Sequence, residues 1–161
     1  MPREKVLGVN DRFIQICLPL IKLKTMTVTH FILSAICIGV ANTCIEWFFI
    51  GFLFHKSQAL TPQTWRPESG KSYLYSTLLS FLFGALFTLF YEKVGVNYVI
   101  LHNVFSHIKL GLICFGCFGL ILEISNAIYI NYDRKFVVGK LIASAFTYMS
   151  AAFIAGLFCW K

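Results

Sequence analysis

The chain has 161 residues, of which 58% are hydrophobic, 17% aromatic and only 13% charged. An ordinary soluble domain carries roughly a quarter charged residues, so this composition excludes a soluble globular protein and indicates a membrane protein of one domain. The formal net charge of +7 would suggest nucleic acid in a soluble protein, but here it predicts contact with anionic lipid head groups, and we expect no nucleic-acid partner.

The first 25 residues differ from the rest because they mix basic with apolar side chains. The apolar residues recur every three or four positions, as on one face of a helix. This pattern predicts an amphipathic helix lying on the membrane surface, with a partly ordered basic tail as the alternative. The chain therefore divides into an amino-terminal segment, residues 1–25, and a transmembrane domain, residues 26–161. The basic residues of the segment are Arg3, Lys5, Arg12, Lys22 and Lys24.

Four apolar stretches follow, and each is about as long as the 20 or so residues that cross a bilayer as a helix. They predict an all-α fold, a polytopic membrane protein in which four transmembrane helices form a bundle. The predicted spans are residues 27–54, 73–91, 108–130 and 136–160.

Each stretch carries one stripe of small and polar residues at helical spacing. Glu46 ends such a stripe in the first stretch, and Glu123 belongs to another in the third. An ionisable side chain at this depth is costly in hydrocarbon, so it is expected to face the bundle interior and marks a candidate functional site. The two stripes consist of Ala35, Gly39, Asn42 and Glu46 in the first stretch and of Gly116, Gly119, Glu123 and Asn126 in the third.

The two carboxylates are expected at nearly the same depth in the outer half of the membrane, where Lys140 of the fourth stretch also enters. Because like charges in a dry core cannot both ionise cheaply, the two carboxyl groups are expected to influence each other's titration. We interpret the set as a binding site for a proton or cation. The alternative is packing, since polar groups also join helices through hydrogen bonds. The candidate binding residues are Glu46, Glu123, Asn42, Asn126 and Lys140.

Cysteines and histidines are interpreted as packing or interfacial residues. The spacing of Cys114 and Cys117 occurs in membrane thiol oxidoreductases, but such an enzyme needs a second cysteine pair in a loop, and the loops here contain no cysteine. His30, His102 and His107 are expected to be solvated at the membrane interface rather than to bind a metal. We therefore predict no catalytic residue, no metal and no cofactor, and a protein that is not an enzyme is favoured.

The basic residues favour one orientation in the membrane. Eight lie on the side of the termini and the second loop, against six on the opposite side. Since basic residues are enriched in cytoplasmic segments, this distribution predicts that both termini are cytoplasmic.

The order of aromatic, glycine and charged positions gives the chain a likeness to a known family. These positions are Glu46-Trp47-Phe48-Phe49 at the exit of the first stretch, Trp65 in the next loop, the charged turn Asn131 to Lys135, and Ala155-Gly156-Leu157-Phe158-Cys159-Trp160. In these features the chain resembles a family of small uncharacterised bacterial membrane proteins, a four-helix domain of unknown function. The resemblance implies four spans and a bacterial inner membrane, and it carries over no catalytic or binding residue. The basic amino-terminal stretch departs from the family's short start.

The sequence contains no motif that specifies a reaction. The favoured function is small-solute or proton-coupled transport, or a channel-like role, through a polar bundle core. In this hypothesis Glu46 and Glu123 carry the proton or cation, with Lys140 as their counter-charge. Asn42 and Asn126 orient them. The alternative is a non-catalytic scaffold or accessory subunit of a larger membrane complex, and a thiol oxidoreductase is less favoured. The expected partners are a bilayer with anionic head groups and a second copy of the chain or another membrane protein.

Overall fold

The structure, a computed structural model, describes residues 26–58, 60–61, 63, 70–95 and 103–159. Within these ranges every regular element is a helix. The amphipathic helix predicted for residues 1–25 lies outside the described residues.

In the described residues, five α-helices and three stretches of wider, π-helical turns join into four long spans, and a sixth, short α-helix follows the first span. Each span has 26 residues, more than the 20 or so needed to cross a bilayer. The prediction of an all-helical protein with four helices long and apolar enough to cross a membrane is confirmed. The helices are α1 Val28–Glu46, α2 His55–Gln58, α3 Gly70–Phe90, α4 Val104–Cys114, α5 Leu120–Tyr129 and α6 Arg134–Cys159; the π-helical stretches are Trp47–Leu53, Tyr91–Gly95 and Phe115–Gly119. The spans are Val28–Leu53 (first), Gly70–Gly95 (second), Val104–Tyr129 (third) and Arg134–Cys159 (fourth).

Three of the helices begin at a short polar side chain that caps the first turn. Thr27, Asn103 and Asp133 each accept a hydrogen bond from a backbone N–H that the helix itself leaves unpaired, which fixes the helix start at that residue. The capping bonds run from His30 N to Thr27 Oγ1 (3.3 Å), from Phe105 N to Asn103 Oδ1 (3.2 Å) and from Lys135 N to Asp133 Oδ2 (2.9 Å).

The first span changes from α-helical to π-helical turns directly after Glu46. At its end the N–H of Phe54 donates to the carbonyl of Phe49 at 2.9 Å, five residues back instead of four. Such turns rotate the side chains that follow, and they are frequent at functional sites. The third span makes the same change at Phe115–Gly119, one turn before Glu123. Both carboxylates of the predicted site therefore lie beside a break in the α-helical hydrogen-bond pattern.

The fourth span is the centre of the bundle. Helix α6 packs along both α1 and α4, and α1 packs along α3. The fourth span also contacts the second, where Phe83 packs edge-on against Tyr148, so it touches each of the other three spans. The face that α6 buries consists mostly of small residues, which allow the neighbouring backbones to approach closely. The buried residues of α6 are Phe136, Gly139, Ala143, Thr147, Ala151, Ala152, Ala155 and Gly156.

Successive spans run in opposite directions, so residues distant in sequence meet at each end of the bundle. At one end the Met26 N–H donates to Glu92 Oε1 at 3.0 Å, and the Cys159 thiol lies 3.7 Å from the Met26 sulfur. At the other end the ring of Phe54 packs against Gly139. We call these the Met26 end and the Phe54 end. Met26 and Cys159 lie at the same end, as four crossings require.

Many large apolar side chains face away from the bundle, whereas short polar side chains are buried inside it beside a few large ones such as Ile38 and Phe136. Leu79, Ile113 and Ile128 are mostly exposed, while Ser34 and Thr88 are fully buried. In a soluble protein the large apolar residues would form the core. This distribution suits a hydrocarbon environment and, together with the four long helices, indicates an integral membrane protein.

We expect Gly111→Ala to destabilise the bundle and Gly116→Ala, on the same span, to leave it intact. A Cβ atom on Gly111 would lie 2.6 Å from the carbonyl oxygen of Tyr148 and 2.7 Å from the Cα atom of Met149, both in the backbone of α6, whereas one on Gly116 meets nothing within 4 Å. Overpacking of this kind costs roughly 1–3 kcal/mol, more than the roughly 0.5–1 kcal/mol that alanine gains over glycine in a helix. The thermal unfolding midpoint in detergent measures the difference, and equal midpoints for the two variants would contradict the close packing of α4 on α6.

Candidate functional site

An ion pair joins the third and fourth spans near the Phe54 end. Lys140 Nζ lies 3.1 Å from Glu123 Oε2, and the two side chains are 24% and 15% exposed. The Lys140 ammonium also lies 5.8 Å from the centroid of the Tyr132 ring, close enough for a cation–π interaction. Two of the five predicted binding residues are thus in direct contact.

Glu46 lies at the same depth as this pair. It precedes the end of the first span by seven residues, Glu123 precedes the end of the third by six, and Lys140 follows the start of the fourth by six. At 1.5 Å per residue all three lie about 9–11 Å from the Phe54 end. Glu46 interacts electrostatically with both Lys140 and Glu123. The structure therefore brings the three charged residues of the predicted site into one layer.

This layer contains two carboxylates, Glu46 and Glu123, but one ammonium group, that of Lys140. Among the described residues Lys140 pairs directly with Glu123, and Glu46 reaches it through a longer-range interaction. A carboxylate at this depth is costly without a close counter-charge. Glu46 is partly buried in the bundle. The arrangement can bind one proton or one small cation at Glu46.

Asn42 connects three spans through its side-chain amide. Its Nδ2 donates to Ser80 Oγ of the second span at 3.1 Å, and its Oδ1 accepts from Thr147 Oγ1 of the fourth span at 2.9 Å. Ser80 in turn donates to the carbonyl of Ser76 in its own helix at 3.2 Å. Because both ends of the amide are used between helices, this geometry supports a packing role for Asn42.

Asn126 lies three residues after Glu123, on the same face of α5, and is partly buried. Its backbone carbonyl accepts a hydrogen bond from the N–H of Ile130 at 2.8 Å, which ends the helix. The structure thus keeps Asn126 beside Glu123 along the third span. It places Asn126 between the charged layer and the Phe54 end.

A buried pair at the Met26 end lies outside the predicted site. The Tyr91 hydroxyl is hydrogen-bonded to Nδ1 of His107, and both side chains are buried. The expectation that His107 is solvated at the interface is therefore wrong. His107 lies one turn before Gly111 and two turns before Cys114, on the buried face of α4. That spacing is the signal that could have predicted its burial.

The cysteines of the described residues are free thiols. Cys114 is buried within the core, whereas Cys117 is exposed on the outer surface of the same span. Cys114 therefore acts as a small packing residue. In the part of the chain that the structure describes, no group of three or more histidine, cysteine, aspartate or glutamate side chains is arranged to hold a metal ion.

Comparisons with protein-family models, with curated proteins and with solved structures give no match for this chain. The chemistry of the site itself is therefore the basis for a function. Its central feature is the layer formed by Glu46, Glu123 and Lys140.

We expect Thr147→Val to destabilise the protein more than Thr77→Val. Both changes replace a hydroxyl by a methyl group, but Thr147 donates to Asn42 of another span, whereas Thr77 donates to the carbonyl of Tyr73 in its own helix. A polar contact between spans contributes roughly 0.6–1.7 kcal/mol. A double-mutant cycle of Thr147→Val with Asn42→Leu, measured by unfolding in mixed micelles, isolates this contact. A coupling energy of zero would show that the hydrogen bond does not stabilise the bundle.

Proposed function

We propose that the protein moves protons or a small cation across the membrane, coupled to a small solute or in a channel-like manner. Glu46 binds and releases the ion. Glu123 and Lys140 form the fixed pair beside it. The observations that carry this proposal are that Glu46, Glu123 and Lys140 lie at one depth and that, among the described residues, the Lys140 ammonium is in direct contact with Glu123.

Charge balance explains why Glu46 takes the variable role. The pair of Glu123 and Lys140 is neutral as a unit and is held by a direct contact of 3.1 Å. Adding an ionised Glu46 gives the layer one excess negative charge, which a bound proton or monovalent cation neutralises. Binding and release at Glu46 therefore switch the layer between two charge states at little cost to the neighbouring pair. A carrier needs a site of this kind.

In this proposal the ion enters from the Phe54 end, to which the charged layer is nearer. Glu46, Glu123 and Lys140 are all partly rather than fully buried and lie about 9–11 Å from that end. Deeper in the bundle, Gly84 of the second span packs directly against the carbonyl of Ala35 in the first. The proposal therefore requires the first and second spans to separate there when the ion passes.

The two asparagines have different roles in this proposal. Asn42, one turn below Glu46, fixes the first span to its neighbours through Ser80 and Thr147. Asn126, one turn beyond Glu123, offers an amide near the entrance of the site. Asn42 therefore holds the site in place, and Asn126 assists in orienting the bound ion or solute.

The proposed location is a bacterial inner membrane with both termini in the cytoplasm, where the protein associates with a second copy or with another membrane protein. The distribution of basic residues, eight against six, supports this orientation. The contact of Cys159 with Met26 supports one part of this orientation, namely that Met26 and Cys159 lie on the same side of the membrane.

We expect Glu46→Gln to reduce proton-linked flux to the level of vesicles without protein. The amide keeps the size of the side chain but cannot bind a proton or cation as a carboxylate does. The matched control is Glu92→Gln at the Met26 end, where the carboxylate is held by the Met26 N–H and by Lys93. Proteoliposomes with an internal pH-sensitive dye and an imposed membrane potential give the rate. Wild-type flux in Glu46→Gln would remove Glu46 from the mechanism.

An infrared titration tests the same site without knowledge of the solute. We expect the carboxylic-acid carbonyl band of the wild type to contain one component that changes with pH and comes from Glu46. This component should be absent from Glu46→Gln and present in Glu92→Gln. If the wild type shows neither flux nor this component, and copurifies with another membrane protein in mild detergent, the scaffold hypothesis replaces transport.

A further inference from the structure

A cavity of about 250 Å³ opens at the Phe54 end of the bundle. It lies between the residue that follows the first span and the first turns of the fourth span. The surface that lines it is apolar, although two of its four lining residues carry a positive charge at their tips. Its lining residues are Phe54, Arg134, Lys135 and Val138.

The cavity lies at the depth where lipid head groups meet the hydrocarbon. Phe54 directly follows the last residue of the first span, and Arg134 is the first residue of the fourth. Val138 lies one turn deeper, about 6 Å along the helix axis. The apolar floor is therefore on the hydrocarbon side and the two cations are on the head-group side, which matches the two halves of an amphiphile.

The charge at the rim is positive. Arg134 and Lys135 are both exposed, and the neighbouring carboxylate of Asp133 is used as the helix cap, accepting from the Lys135 N–H at 2.9 Å. Helix α2, which packs against α6, adds the exposed side chains of His55 and Lys56 at the same end. Arginine recognises a phosphate through a planar fork of donors, and lysine through a compact point charge. This rim therefore complements an anionic phosphate.

We propose that this cavity binds the head group of an anionic phospholipid. The phosphate lies between the side chains of Arg134 and Lys135, and the upper part of an acyl chain covers Phe54 and Val138. The site is separate from the ion site of the proposed function. Val138 and Lys140 are two residues apart on α6, so their side chains point about 160° apart around the helix axis. The proposal of a lipid site therefore does not depend on the proposal of transport, and the two are tested separately.

Native mass spectrometry of the full chain, titrated with phosphatidylglycerol and with phosphatidylcholine, tests the charge requirement. We expect one bound phosphatidylglycerol in preference to phosphatidylcholine. Arg134→Gln and Lys135→Gln should each weaken this binding about fivefold, the loss expected for one basic residue near an anionic head group. The control Lys71→Gln removes an exposed lysine at the same end, in the first turn of α3, and should bind as the wild type does.

A cavity-filling variant separates a site from a diffuse attraction. Val138→Trp occupies the cavity and leaves both cations in place, and since Val138 is 51% exposed the larger ring is tolerated by the fold. We expect it to lose the bound lipid while keeping the wild-type unfolding midpoint, with Val138→Phe as the milder second variant. If both variants retain the lipid, the attraction is diffuse and the proposal is wrong. Displacement of the lipid by inorganic phosphate alone, or equal binding of the two lipids, would also overturn it.

Discussion

Close packing of helix backbones, made possible by glycine and other small residues, is the constraint on which this structure depends. Lipid tails are as apolar as leucine, so the hydrophobic effect does not hold one helix against another inside a bilayer. Here Gly84 lies against the carbonyl of Ala35, and Gly111 lies against the backbone of Tyr148. At such distances dispersion contacts are numerous, and short polar side chains can reach the neighbouring span. These backbone contacts set the distances between the spans and therefore the positions of the polar side chains in the bundle.

The polar side chains of the interior form separate layers, each satisfied within itself. No buried side-chain nitrogen or oxygen of the described residues lacks a hydrogen-bond partner, as the low polarity of a membrane interior requires. These layers stabilise the fold, and because their polar groups bind one another, few of those groups can bind a ligand. Glu46 differs because Lys140, the cation that lies at its depth, is in direct contact with Glu123. From the Met26 end, the layers are Tyr91 with His107, Ser34 with Thr88, Asn42 with Ser80 and Thr147, and Glu123 with Lys140.

Helical spacing within one stretch predicted which residues share a face, but it could not predict which helix covers that face. Asn42 was assigned from the sequence to an interior stripe, and the structure adds that its partners lie on the second and fourth spans. Those partners depend on the arrangement of the spans in the bundle, which arises from contacts among all four helices. The solvated role expected for His107 was wrong for the same reason: its position near a helix start suggested water, whereas Tyr91 of another span buries it.

Helix α6 contributes residues both to the proposed lipid site and to the proposed ion site. Lys140 follows Arg134 by six residues, about 9 Å along one helix, so a head group bound at the first turn of α6 would fix the depth of Lys140 and of its ion pair. Glu46 belongs to the first span, which is joined to α6 through Asn42 and Thr147, two turns deeper than Lys140. A small tilt of the first span about that hydrogen bond would change the separation of Glu46 from Lys140 while Glu123 stays paired. In the proposed mechanism, Glu46 and its counter-charge Lys140 thus lie on different helices, as a site that alternates between two charge states requires.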